Sequence, residues 1–222
     1  MLGAIGDFLP VAMVLALSPP PVIVVVILLG RVDGPRHGAV FAAGWLAGLA
    51  LATIPLALAA GEVDTGASFY LGAGLQILLG LGLLAAAFRK WRTRPRPGAE
   101  LELPGWAAAL DRLSLPKAGS LGVVVALANP KHLAFAFAGV SIIAEHGLEG
   151  RRALIAALVF IALSSAGVLG ALALRYAGGE RGARRLEGVK RFMLRNNKVI
   201  MMVILAVIGA KMLGDGLAAL GG

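Results

Sequence analysis

Six predominantly apolar runs, separated by five polar connectors, make up most of this chain. They cover residues 7–30, 38–60, 67–88, 118–144, 153–176 and 197–220. A helix needs about 20 apolar residues to cross roughly 30 Å of hydrocarbon, so each run is long enough to span a bilayer. Two of the runs are interrupted near their middles, at Ser18-Pro19-Pro20-Pro21 and at Asn129-Pro130-Lys131. Proline lacks a backbone N–H and clashes with the preceding turn, so neither run continues as one helix. Each reads as two half-helices with an unwound joint, and the joints lie 111 residues apart. Three spans per half is an odd number, so the second half enters the membrane with opposite polarity. The expected fold is an all-α polytopic membrane protein, with six transmembrane helices as two inverted three-helix repeats and helices 1 and 4 broken. Residues 1–90 form the first repeat in this reading. Residues 91–117 form a basic cytoplasmic linker with a short interfacial helix, and 118–222 the second repeat.

The connectors set orientation. The first, third and fifth, with flanking residues, carry 17 Lys and Arg, and the second and fourth carry 2. Basic loops stay cytoplasmic, which predicts both termini outside. The first charge is Asp7 and the first basic residue Arg31, so the first run reads as a retained span rather than a cleaved signal peptide.

Small residues recur at four-residue spacing in the second run (Gly44, Gly48, Ala52) and on one face of the third (Gly72, Gln76, Gly80). Such faces let helices approach closely in lipid. The stretch from Trp106 to Leu115, and Leu186, Val189, Phe192 and Met193 in the fifth connector, show helical apolar spacing among charges. Both read as helices lying on the membrane surface.

Ionisable residues inside the runs are Asp7, Lys131, His132, Lys211 and Asp215. A charge at the bilayer centre costs at least about 2.5–3.5 kcal/mol on insertion scales, so each is a functional candidate. Asp7 lies near the outer boundary and reads as an interfacial residue. Lys211 and Asp215 are spaced i, i+4 and share a face. Lys131 and His132 follow the second joint at mid-depth. Ser18 and Asn129 stand where N-caps belong, with Pro19 and Pro130 in the first helical turn. Half-helix N-termini attract anions. The expected substrate-binding set is therefore Ser18, Pro19, Asn129, Pro130, Lys131, His132, Gln76, Lys211 and Asp215, with Lys131 in a polar cavity facing a negative group.

Composition narrows the function. The chain is 59% hydrophobic and 15% charged, against about 25% charged in soluble domains. It has no cysteine, which removes disulfides, thiolate metal sites and dithiol redox chemistry. Its three histidines are scattered, and it has no phosphate-binding loop, nucleophile elbow or zinc-protease motif. Neither an enzyme, nor a metal site, nor a cofactor is expected.

The two joints and the three-plus-three layout resemble the lysine exporter superfamily. More closely, the chain resembles the actinobacterial glycopeptidolipid- and sulfolipid-addressing proteins, the GAP family. The resemblance is carried by Leu17-Ser18-Pro19-Pro20-Pro21 with Gly44-Trp45, and by Trp106 and Leu110-Asp111 before Lys117. In the second half it is carried by Leu127-Ala128-Asn129-Pro130-Lys131, then Asn196-Asn197 leading to Gly209-Ala210-Lys211-Met212-Leu213-Gly214-Asp215-Gly216-Leu217. It implies a bacterial inner-membrane transporter, or transport partner, exporting a polar-headed or anionic envelope lipid. Membrane lipids, an envelope glycolipid substrate and a homodimer or larger lipid-export complex are the implied partners; nucleic acid is not. An exporter of a small solute and a membrane scaffold for a lipid synthase or exporter are the competing expectations.

Overall fold

The computed structural model describes residues 1–59, 69–93, 107–110 and 112–221. All regular structure among them is helical. The chain order is α1 (Leu2–Ala16), α2 (Pro19–Leu29), α3 (Gly34–Ala59), α4 (Phe69–Arg92), α5 (Ala107–Leu110), α6 (Leu115–Leu127), α7 (Pro130–Glu145), α8 (Gly150–Ser164) and α9 (Ala166–Gly221). Gly34–Ala59 and Ala166–Ala218 are long and apolar enough to cross a membrane. The pairs α1–α2 and α6–α7 also qualify, each as one bent span, with bends of 50° and 65°. This is the helix inventory of a membrane protein.

Both expected joints are present. Ser18 and Asn129 stand in extended backbone, at φ −61°, ψ 119° and φ −90°, ψ 111°. Each precedes a proline, whose ring disfavours the helical region for its neighbour. Proline then suits the first turn of the next helix, where N–H groups have no in-helix acceptor.

The fifth apolar run is not continuous. α8 ends at Ser164, and Ser165 separates it from α9. No proline marks this third interruption, so hydropathy alone passed over it. A fourth irregularity falls inside α9 at Gly179, at φ 51° and ψ −127°, a conformation open essentially to glycine. In a straight helix, residues eight apart are separated by about 12 Å. Here Gly182 packs directly on the Leu174 carbonyl, so the chain folds back at Gly179 into two legs.

The chain forms two compact units. One contains Met1–Gly61 and Glu102–Leu194; the other contains Glu62–Leu101 and Arg195–Gly222. Each takes chain from both expected halves.

In the first unit α3 is the hub, packing on α6, α8, α7 and α2. The α3–α6 contact is the most extensive. Its closeness depends on the small-residue face expected from the sequence: Gly44 meets the Gly119 backbone, and Gly48 meets Ala126 and Val123. Around it lie Val25, Leu28, Leu29, Phe41, Trp45 and Leu49, all nearly or wholly buried.

The two stretches expected on the membrane surface both contribute to this core. Leu110 of α5 and Leu186 of α9 belong to this core, with Leu113, Val189 and Met193 packed against it. These side chains pack intramolecularly, while Leu115 and Phe192 of the same stretches are exposed. Trp106 and Asp111 lie outside the described residues. α5 is fixed by Arg31, which donates to the Leu110 and Leu113 carbonyls at 2.8 and 2.9 Å.

The second unit pairs α4 with the C-terminal part of α9. They touch at Gly80, whose neighbours are the Gly209 carbonyl and the Leu213 backbone. Lys198 donates to the Thr93 carbonyl at 2.9 Å.

Candidate functional site

The interrupted helices of the first unit meet in one buried polar junction. Its geometry follows from what each interruption leaves unbonded.

An N-cap side chain normally accepts from the N–H of the second or third helical residue. In α2 these residues are Pro20 and Pro21, which have no N–H. Ser18 therefore has nothing to cap, and it makes no capping bond. This corrects the expectation that it would. Its hydroxyl instead reaches His132 Nε2, 3.1 Å away. Asn129 is followed by only one proline, so the Lys131 N–H is available and donates to Asn129 Oδ1 at 3.1 Å.

His132 uses both ring nitrogens. Nδ1 lies 2.8 Å from the Val125 carbonyl, which can only accept, so Nδ1 carries a proton. Val125 is in the last turn of α6, where carbonyls have no in-helix donor. In the neutral ring Nε2 accepts from the Ser18 hydroxyl; in the imidazolium it donates to it. His132 is 1% exposed and Ser18 7%.

Trp45 closes the junction. Its ring stands edge-on to His132, with centroids 5.2 Å apart and planes at 89°. Its Nε1–H donates to Ser165 Oγ at 3.2 Å, at the third interruption. Gly167, just beyond, packs on the Ala16 carbonyl at the end of α1. Ser164 is buried as well, and its hydroxyl has no hydrogen-bond partner among the described residues.

The remaining expected residues divide. Pro19 is buried beside Ser18, and Pro130 opens α7. Lys131 is exposed, one residue from the buried His132, and lines neither of the two grooves described below. Gln76 falls within α4, and its side chain lies outside the described residues. Lys211 and Asp215 pair with each other at 2.7 Å, within the second unit. Asp7 pairs with His146 at 2.8 Å, tying the start of α1 to the end of α7.

A family model described as Sap, sulfolipid-1-addressing protein, matches residues 8–218. The chain belongs to this family. No curated protein and no solved structure matches. The match includes both proline joints, Trp45 and the Ser164-Ser165 pair.

Sequence reasoning found Ser18, Asn129 and His132 but not Trp45, Ser164 or Ser165. In the sequence Trp45 stands out only beside Gly44, in the pair that carries part of the family resemblance. Two adjacent serines inside an apolar run were the available signal, since serine hydroxyls compete for backbone bonding.

Beside the junction lies an open groove of about 470 Å³, lined by Leu46, Ala47 and Ala50 of α3, Leu158, Ile161 and Ala162 of α8, and Leu169 of α9. A second groove, of about 610 Å³, lies at the fold-back of α9 and includes Arg181 and Arg185.

Proposed function

We propose that this protein moves a polar-headed or anionic cell-envelope lipid outward from the inner membrane, directly or as the partner of a larger exporter. We read the fold as six spans in two inverted halves related to the lysine exporter superfamily. The bent pairs α1–α2 and α6–α7 are spans one and four, and the termini are outside. The observation that carries the reading is the Ser18–His132 hydrogen bond between the two proline joints. Family membership supports the lipid class, since the family is described by the addressing of a sulfolipid.

A transporter needs an element with two arrangements of comparable energy. The junction has the parts for one. Apart from Trp45, in the middle of α3, its bonded groups stand at helix ends, so they can exchange partners without melting a helix. One arrangement satisfies His132 through Ser18 and Val125 and leaves the Ser164 hydroxyl unbonded. A buried unbonded hydroxyl costs about 1–3 kcal/mol, which narrows the gap to an arrangement that satisfies it. A polar lipid headgroup competing for Ser18, His132 or Ser164 would shift that balance.

The test is envelope-lipid profiling of a deletion strain, with inner- and outer-leaflet pools separated. Loss of one polar lipid from the outer pool, restored by the wild-type gene, is the expected result. Unchanged pools would refute the proposal.

A further inference from the structure

The two grooves lie in series. Leu169 borders the first, and Ala173 and Ala177, on the same face of the first leg of α9 at i, i+4 spacing, border the second. The first is lined by apolar side chains throughout. The second is framed by Ala173, Leu174, Ala177 and, across the fold-back, by Arg181 and Arg185. Arg181 and Arg185 are one turn apart and exposed, and neither is ion-paired among the described residues. The nearby Glu187 pairs instead with Lys190, at 2.7 Å.

The two grooves are offset along α3. The Tyr176 hydroxyl donates to the Pro35 carbonyl at 3.0 Å, fixing the end of the first leg beside the start of α3. The apolar groove begins at Leu46, eleven residues further along α3, or about 16 Å. That is about half the hydrocarbon thickness. An amphiphile with its charged group at the arginines would therefore have its chain along the apolar groove. Each groove falls in the range of about 300–1,000 Å³ usual for ligand sites.

We propose that these grooves form one loading site for an anionic lipid. Its phosphate or sulfate headgroup sits between Arg181 and Arg185, and an acyl chain lies against α3, α8 and α9. Guanidinium groups suit such headgroups because they donate two parallel bonds to them. The chain then rests against Leu46, the residue after Trp45, and against Ala162 and Leu169, which flank Ser165 along the chain, so an occupied groove bears on the Trp45–Ser165 side of the junction. This inference rests on the transport reading and names the place where cargo is taken up.

The test uses the purified full chain in nanodiscs of phosphatidylcholine with a minor fraction of phosphatidylglycerol. A photoreactive p-benzoylphenylalanine is placed at Leu158, which lines the groove and is half exposed, or at the exposed Phe137 of α7 as a control. Capture at 158 should favour phosphatidylglycerol over phosphatidylcholine several-fold relative to their abundance. Arg181→Gln/Arg185→Gln should bring the ratio to about one, and the Lys variants should keep part of the preference. The control should show no preference, and sodium sulfate added at constant ionic strength should leave capture unchanged. Equal capture in the wild type, a preference surviving the Gln substitutions or appearing equally at 137, or its abolition by sulfate would each overturn the site. If capture shows no preference while Ser18 or His132 variants still lose outer-leaflet lipid, this site falls and the transport reading stands. If capture behaves as expected but the deletion strain has normal pools, the site stands as a lipid contact and the transport reading falls.

Discussion

The two proline joints have the same design and use it differently. Each has a polar residue, then proline, then a new helix. At Asn129 the polar side chain serves its own helix, because the second helical residue still has an N–H to give. At Ser18 two further prolines have removed those donors, and the hydroxyl turns outward to the opposite joint. One joint is self-contained; the other is complete only through its partner. A tract that breaks a helix has thereby also made a serine available for a long-range bond. The surroundings match the contrast, since Ser18 and Pro19 are buried while Asn129 is half-buried and Lys131 exposed.

The largest effect expected from this asymmetry is at the residue that bridges it. His132→Ala removes a buried ring, strands the Ser18 hydroxyl and leaves a void beside Trp45. Unfolding in detergent micelles should show a loss of about 2–4 kcal/mol. A change under about 1 kcal/mol would mean that the joints are not held together through this ring. Ser18→Ala comes next, at about 1–2 kcal/mol, because it leaves His132 Nε2 unbonded. Its cost should largely vanish in a His132→Phe background. An equal cost in both backgrounds would mean that the hydroxyl acts on α2 after all.

Asn129→Ala should cost about 1 kcal/mol, the usual value of an N-cap, and Asn129→Asp should restore most of it. Combined with Ser18→Ala it should add to within about 0.5 kcal/mol, since the two side chains share no partner. Strong coupling between them would erase the distinction between the joints. The smallest effect is expected from Pro21→Ala. It returns an N–H to the third position of α2, where Ser18 can cap it at the expense of His132. Net stability should move by only a few tenths of a kcal/mol, while the Ser18–His132 coupling energy falls measurably.

Much of this was legible in advance, for reasons that can be named. Proline acts on the backbone locally, so both breaks and their positions followed from the residues alone. Glycine at helical spacing likewise predicted a close-packing face on α3, and Gly44 and Gly48 form one, though the sequence did not say that α6 would meet it. The capping role expected of Ser18 fails on the same property that breaks the run: the missing N–H groups of Pro20 and Pro21 leave the N-cap nothing to bond. The Trp45–Ser165 bond joins residues 120 apart in sequence, and no local pattern encodes it. That Leu110 and Leu186 pack into the core was not legible for a related reason. Amphipathic spacing says that a face is covered, but not whether lipid or protein covers it.

In this mechanism the Ser18–His132 bond is a moving part and not merely a brace. Ser18→Ala/His132→Phe separates the two roles. It replaces both partners of that bond by apolar groups of similar shape, so the cost is confined to the Val125 carbonyl, which loses its bond from His132 Nδ1, at about 1–3 kcal/mol. The decisive measurement is the outer-leaflet pool of envelope lipid in a deletion strain carrying this double variant, expressed and inserted at the wild-type level. The account predicts a stable protein that leaves the outer pool as depleted as in the deletion strain. A wild-type outer pool would contradict it, and would reduce the junction to a structural bond.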